Sequence, residues 1–97
     1  MNIVEIKKEM GFTHHEFFKK LPKVLGETPY DYSDDTVSFE HNGKTIQIEL
    51  GAEQVRELSK TTRLPFTRIV IRFFGHQAAE VEQFVRHFNL RYIKGGG

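Results

Sequence analysis

Between Thr36 and Leu50, apolar and polar residues alternate on either side of Asn42-Gly43. A period of two marks a half-buried strand, and Asn-Gly is the favoured pair for a two-residue type I′ turn because both positions need positive φ. The spacing therefore predicts a hairpin of Thr36–His41 and Lys44–Leu50. Its register pairs His41 with Lys44, Phe39 with Ile46 and Val37 with Ile48 on one face. Glu40, Ser38 and Thr36 oppose Thr45, Gln47 and Glu49 on the other.

A second alternating run, Phe66–Phe74, predicts a strand ended by Gly75. Thr67, Ile69, Ile71 and Phe73 take one face of it, and Phe66, Arg68, Val70, Arg72 and Phe74 take the other.

Helical periodicity appears in two places. Thr13 and Glu16 form a T-x-x-E capping box with Phe12 and Phe17 as a hydrophobic staple, followed by the stripe Phe17, Phe18 and Leu21. Pro22 is expected to break or restart this helix, and Gly26 to stop it. Gln77–Phe88 places Val81, Phe84, Val85 and Phe88 on one side and His76, Glu80, Gln83 and His87 on another.

The other segments are read as follows. Asn2–Met10 fits either a helical turn or a short strand, and the helical turn is preferred. Glu27–Asp35 is a polar loop, Ala52–Lys60 a short helix burying Val55 and Leu58, and Leu90–Ile93 a last strand. The resulting order is α-β-β-α-β-α-β, an α+β two-layer sandwich whose small mixed sheet carries its helices on one face.

Ninety-seven residues bound the chain to a single domain over 1–97. A hydrophobic content of 38% with nine Phe argues for a folded core, and 28% charged residues for a soluble surface. The longest central apolar run, Ile69–Ile71, is far short of the roughly 18 residues a membrane span needs. The absence of Cys removes disulfides, thiolate nucleophiles and thiolate metal sites. Charged residues among the first ten, Glu5, Lys7, Lys8 and Glu9, do not suit a secretory leader, so a cytoplasmic location is expected.

The net charge of +1 conceals an uneven distribution. Residues 1–62 hold eight Lys and Arg against eleven acids, a balance of −3; residues 63–97 hold six against two, a balance of +4. Arg68 and Arg72 interleaved with Phe66, Val70 and Phe74 are the mixture that binds single-stranded nucleic acid on a sheet. The bland alternative is cross-strand pairing of those Arg with Glu40 or Glu49.

Metal and catalytic patterns fall short. His14 and His15 diverge by about 100° on a helix. His76 and Glu80 are spaced to share an ion but lack an identifiable third ligand. His41 beside the turn is expected to be exposed. Asp31, Ser33 and Asp35 begin like a calcium loop, which then fails at Thr36 and Asn42. Ser33, Ser38 and Ser59 sit in no nucleophile motif. No cofactor and no metal is expected.

Lys94-Gly95-Gly96-Gly97 resembles the glycine tail of small carriers of the ubiquitin-like and sulfur-carrier kind, whose terminal carboxylate is activated by a partner enzyme. That resemblance implies a carrier role for Gly95, Gly96 and Gly97, and Thr36–Phe74 reads as the ββαβ opening of such folds. The sequence thus points to a non-enzymatic protein-interaction module that binds another protein or itself through the open sheet face or an edge strand. Single-stranded nucleic-acid binding and the glycine carrier are the alternatives.

Overall fold

The Asn42-Gly43 hairpin forms in the register its alternation requires. In the computed structural model, which describes residues 2–92, Thr36–His41 (β3) pairs with the first half of Lys44–Glu57 (β4) as His41↔Lys44, Phe39↔Ile46 and Val37↔Ile48. Asn42 and Gly43 have φ of 55° and 76°, as a type I′ turn demands. Val37, Ile46 and Ile48 are wholly buried on the apolar face, each contributing about 1.5 to 3 kcal/mol of burial free energy.

Among the described residues three further strands complete the sheet: Ile3–Met10 (β1), Tyr30–Ser33 (β2) and Arg63–Phe74 (β5). The order across the sheet is β1-β5-β4-β3-β2, with every neighbouring pair antiparallel. Two helices, His14–Leu25 (α1) and Ala78–Arg91 (α2), follow β1 and β5. One core joins Phe17, Leu21, Val24 and Leu25 of α1 and Val81, Phe84 and Phe88 of α2 to the alternate residues of β3, β4 and β5. The chain is therefore a small α+β domain, and no helix among the described residues is long and apolar enough to cross a membrane.

Local signals at α1 hold. Thr13 Oγ1 accepts from the Glu16 N–H at 3.1 Å and Glu16 Oε1 accepts from the Thr13 N–H at 3.0 Å, the two halves of the capping box. Phe12 and Phe17 are both buried and both pack on the Tyr92 ring, at 5.5 and 5.4 Å between centroids. The helix continues through Pro22, which stands exposed and lacks the N–H that an i→i−4 bond would need.

Four elements differ from expectation, each because long-range pairing outweighs local preference. Asn2–Met10 is not a helical turn: Ile3–Met10 pairs with β5 along its full length, Ile3↔Phe74 to Met10↔Thr67. The loop expected over Glu27–Asp35 contains β2, joined to β3 by a two-residue turn in which Asp34 and Asp35 adopt φ of 51° and 60°.

Ala52–Lys60 is not a helix. A bulge between Leu50 and Glu53 shifts the register, and β4 then runs on to Glu57 against Arg63–Thr67. Val55 and Leu58 stand 62% and 57% exposed on this β4–β5 ribbon instead of being buried. Finally, α2 extends through Leu90 and Arg91, which removes the last strand; Ile93, Gly95, Gly96 and Gly97 lie outside the described residues.

With no helix between β4 and β5, no parallel crossover remains among the described residues, so the sheet is antiparallel and not mixed. The ββαβ likeness of Thr36–Phe74 to carrier folds disappears for the same reason. Fourteen residues of β4 at about 3.3 Å each span about 45 Å, which accounts for a molecule measuring 47 × 26 × 25 Å.

Candidate functional site

The polar face of the sheet carries the sequence-predicted residues. Arg72 lies directly opposite Glu5 of β1 and diagonal to Glu49 of β4, and it bonds both: Nε to Glu5 Oε2 at 2.7 Å and Nη1 to Glu49 Oε1 at 2.8 Å. These two hydrogen bonds raise the guanidinium pKa above its usual value, so the charge is permanent and matched in place. Arg68 Nε lies 3.6 Å from Glu9, which also pairs with Arg56.

Phe66 is buried, with the Arg56 and Arg68 guanidiniums over its ring at 4.7 and 5.6 Å from the centroid. Val70 and Phe74 are half-buried, Val70 between Lys7 and Glu49 and Phe74 beside Ile3. Phe66 and Phe74 stand eight residues apart, about 26 Å along the strand, at opposite ends of the face. The structure thus brings the five residues onto one face, but both Arg are ion-paired and the two Phe are too far apart to form one stacking platform. Among the described residues Glu40 makes no ion pair; its expected role falls to Glu5 and Glu9 of β1.

Three of the five histidines meet backbone carbonyls through Nε2. His14 Nε2 lies 2.7 Å from the Gly51 carbonyl at the bulge, and its backbone N–H donates to Glu53 at 2.6 Å. His87 Nε2 meets the Val24 carbonyl at 2.9 Å, linking α2 to the end of α1. His76 is not on a solvated helix face: it is 4% exposed and its Nε2 donates to the His41 carbonyl at 2.9 Å, while Nδ1 has no partner among the described residues. Its ring stacks at 6.0 Å on His41, which is half-buried against Phe84 and not exposed as expected. Burial, then the nearby His76, lowers the His41 pKa below its ordinary value.

Among the described residues Glu80 makes no hydrogen bond to His76. It accepts from the Gln77 N–H at 2.9 Å, from Asn42 Nδ2 at 3.0 Å and from Lys44 Nζ at 3.3 Å, and these bonds lower its pKa to about 2. Among the described residues, no group of three or more His, Asp or Glu is arranged to hold a metal ion. Asp31 and Ser33 lie on β2, with Asp35 in the turn after it. Ser33 is thus on a strand, and Ser59 is in the β4–β5 turn, where its Oγ accepts from the Thr61 and Thr62 N–H groups.

A second feature escaped the sequence reading. Between the outer edge of β1 and α2 runs a groove of about 480 Å³, lined by Ile6, Val81, Val85 and Leu90 together with the stems of Glu82 and Arg86. Leu90, at the α2 side of the groove, is 62% exposed. Ile6 was hidden by the helical reading of Asn2–Met10, and Leu90 by the strand assigned there. The alternation Val4-Glu5-Ile6-Lys7 was the available signal.

The backbone beside this groove has an assignable direction. The Gly75 N–H donates to the Asn2 carbonyl at 2.7 Å, so Asn2 points toward β5. Backbone groups alternate along a strand, hence Ile3, Glu5, Lys7 and Glu9 direct their N–H and C=O groups away from the sheet. Compared with models of known protein families and with curated protein sequences, the chain matches none.

Proposed function

We propose that this chain is a non-enzymatic protein-interaction module that binds an extended partner strand along the outer edge of β1. Backbone groups of Ile3, Glu5, Lys7 and Glu9 supply the hydrogen bonds, and the β1–α2 groove receives the partner's apolar side chains. The observation that carries this reading is the coincidence of an outer strand edge with an apolar groove lined by Ile6, Val81, Val85 and Leu90. Main-chain bonding gives affinity in such an arrangement, and the groove gives selectivity. The non-enzymatic part is supported by His14, His76 and His87, each of which meets a backbone carbonyl through Nε2, and by Glu80, whose carboxylate is engaged by Gln77, Asn42 and Lys44. The same reading takes the cytoplasm as the location, with which a chain without Cys is compatible.

Selection from a displayed random-peptide library tests it, read by amide hydrogen exchange. Selected peptides should slow exchange at Glu5 and Lys7 and should lose binding to Leu90→Asp, a change at an exposed position that leaves the core intact. Binders that leave those two amides unprotected would assign the interaction to another surface.

A further inference from the structure

We infer that the strand entering this groove is β1 of a second copy of the chain, paired antiparallel about a two-fold axis at Ile6, so that two five-stranded sheets join into one. The inference rests on the strand-addition reading above and adds the occupant and its register.

Directly opposed residues of an antiparallel pair share a face, so a symmetric β1–β1 pair centred on a residue places that residue opposite itself. Centred on Ile6, Glu5 opposes Lys7 of the second copy and Lys7 opposes its Glu5, giving two opposite-charge pairs on the polar face. Centred on Glu5, Lys7 or Lys8, a like charge faces itself, and the Lys7 centre also sets Glu5 against Glu9. A centre at Val4 leaves only the first half of the strand overlapping. A centre at Lys8 also matches Lys7 with Glu9, but there Lys8 faces itself and the Glu9 carboxylate is already held by Arg56 and Arg68, so only the Ile6 register joins opposite charges with no like-charge contact, which is how edge lysines restrict pairing.

The side chains are free to do this. Lys7 takes part in no ion pair among the described residues, and Arg72 occupies only Oε2 of Glu5. Glu5 and Lys7 belong to the set whose backbone groups point outward, so the two charge pairs coincide with hydrogen-bonded pairs. Ile6 then faces itself in a non-hydrogen-bonded pair, where Cα atoms approach to about 4.5 Å and side chains pack closest. Because the axis is perpendicular to the sheet, both grooves lie on the same side and adjoin above Ile6. Each covers apolar surface left by the other at Val85 and Leu90.

Sedimentation and amide exchange on a dilution series of the whole chain test this. The wild type should form a dimer whose Glu5 and Lys7 amides become protected as concentration rises. Lys7→Glu and Glu5→Lys should each weaken the dimer about tenfold or more, since each puts two like-charge pairs across the axis. Mixing the two variants should restore association as a heterodimer, because the chain with acids at both positions then opposes the chain with lysines at both. Restoration also shows that both variants fold. A dimer indifferent to the charge reversals, or protected at β2 instead, overturns the register and the surface together. A wild type that stays monomeric at all concentrations overturns self-pairing, while library peptides that still protect Glu5 and Lys7 would leave the strand-addition reading standing.

Discussion

Glu80, in the first turn of α2, accepts a 3.0 Å hydrogen bond from the side-chain amide of Asn42 at the tip of the β3–β4 turn. The contact ties the start of a helix to a turn 38 residues away, with Lys44 and the Gln77 N–H as further donors. The Gln77 N–H first, then Asn42 and Lys44, favour the carboxylate and lower its folded pKa from 4.5 to about 2. In the unfolded chain Glu80 binds a proton at higher pH than in the folded one. Its contribution to stability is therefore complete above pH 4.5 and is lost as pH falls from 4.5 toward about 2. Glu80→Gln should flatten this part of the stability profile, measured by urea unfolding at a series of pH values. An unchanged acid slope would disconnect Glu80 from the turn.

Phe84 sits where α2 meets the sheet, 4% exposed, with Phe39, Phe73 and Phe88 rings at 5.8, 5.7 and 6.2 Å. Phe84→Ala should leave a cavity among these rings and destabilise the fold by roughly 3 to 5 kcal/mol, measured by denaturant unfolding. A loss below about 1 kcal/mol would mean that the rings collapse into the space.

Gly51 lies at the bulge that turns β4 into the exposed ribbon. A Cβ there would stand 3.0 Å from the Arg68 carbonyl oxygen, a backbone atom with little freedom to retreat. Gly51→Ala should cost roughly 1 to 3 kcal/mol. The diagnostic reading is in the amide shifts of Glu53–Glu57, which should move while those of β1 and β3 do not.

Single-stranded oligonucleotide should not bind with the steep salt dependence that phosphate contacts produce, because Arg72 and Arg68 are already matched by Glu5, Glu49 and Glu9. Fluorescence anisotropy across a salt series measures this. Salt-sensitive micromolar binding that disappears in Arg72→Ala would move nucleic acid ahead of protein as the ligand.

The ion-paired face was half legible in advance. Pairing between Glu49 and an Arg of β5 follows from alternation within adjacent strands, and the Arg72–Glu49 contact is that pair. The stronger partner, Glu5, is 67 residues from Arg72 and belonged to a segment read as helical. The groove was illegible for the same reason: Ile6 lines it only once β1 exists as a strand.

What the sequence by itself determined about this protein is whatever a few neighbouring residues decide through their own stereochemistry. Asn42-Gly43 sets a turn and hence the full β3–β4 register; Thr13 and Glu16 cap α1; the i, i+3, i+7 spacing of Val81, Phe84 and Phe88 orients α2. Tertiary structure decided the rest. Ala52–Lys60 is rich in helix formers, yet so short a helix is marginal alone, and continuing the ladder opposite Arg63–Thr67 satisfies its backbone along a whole strand. Ile3–Met10 is ambiguous in isolation and becomes an edge strand because β5, folded from the far end of the sequence, offers it a complete row of hydrogen-bond partners. Pairing over such distances depends on which segments meet, and no local periodicity encodes that.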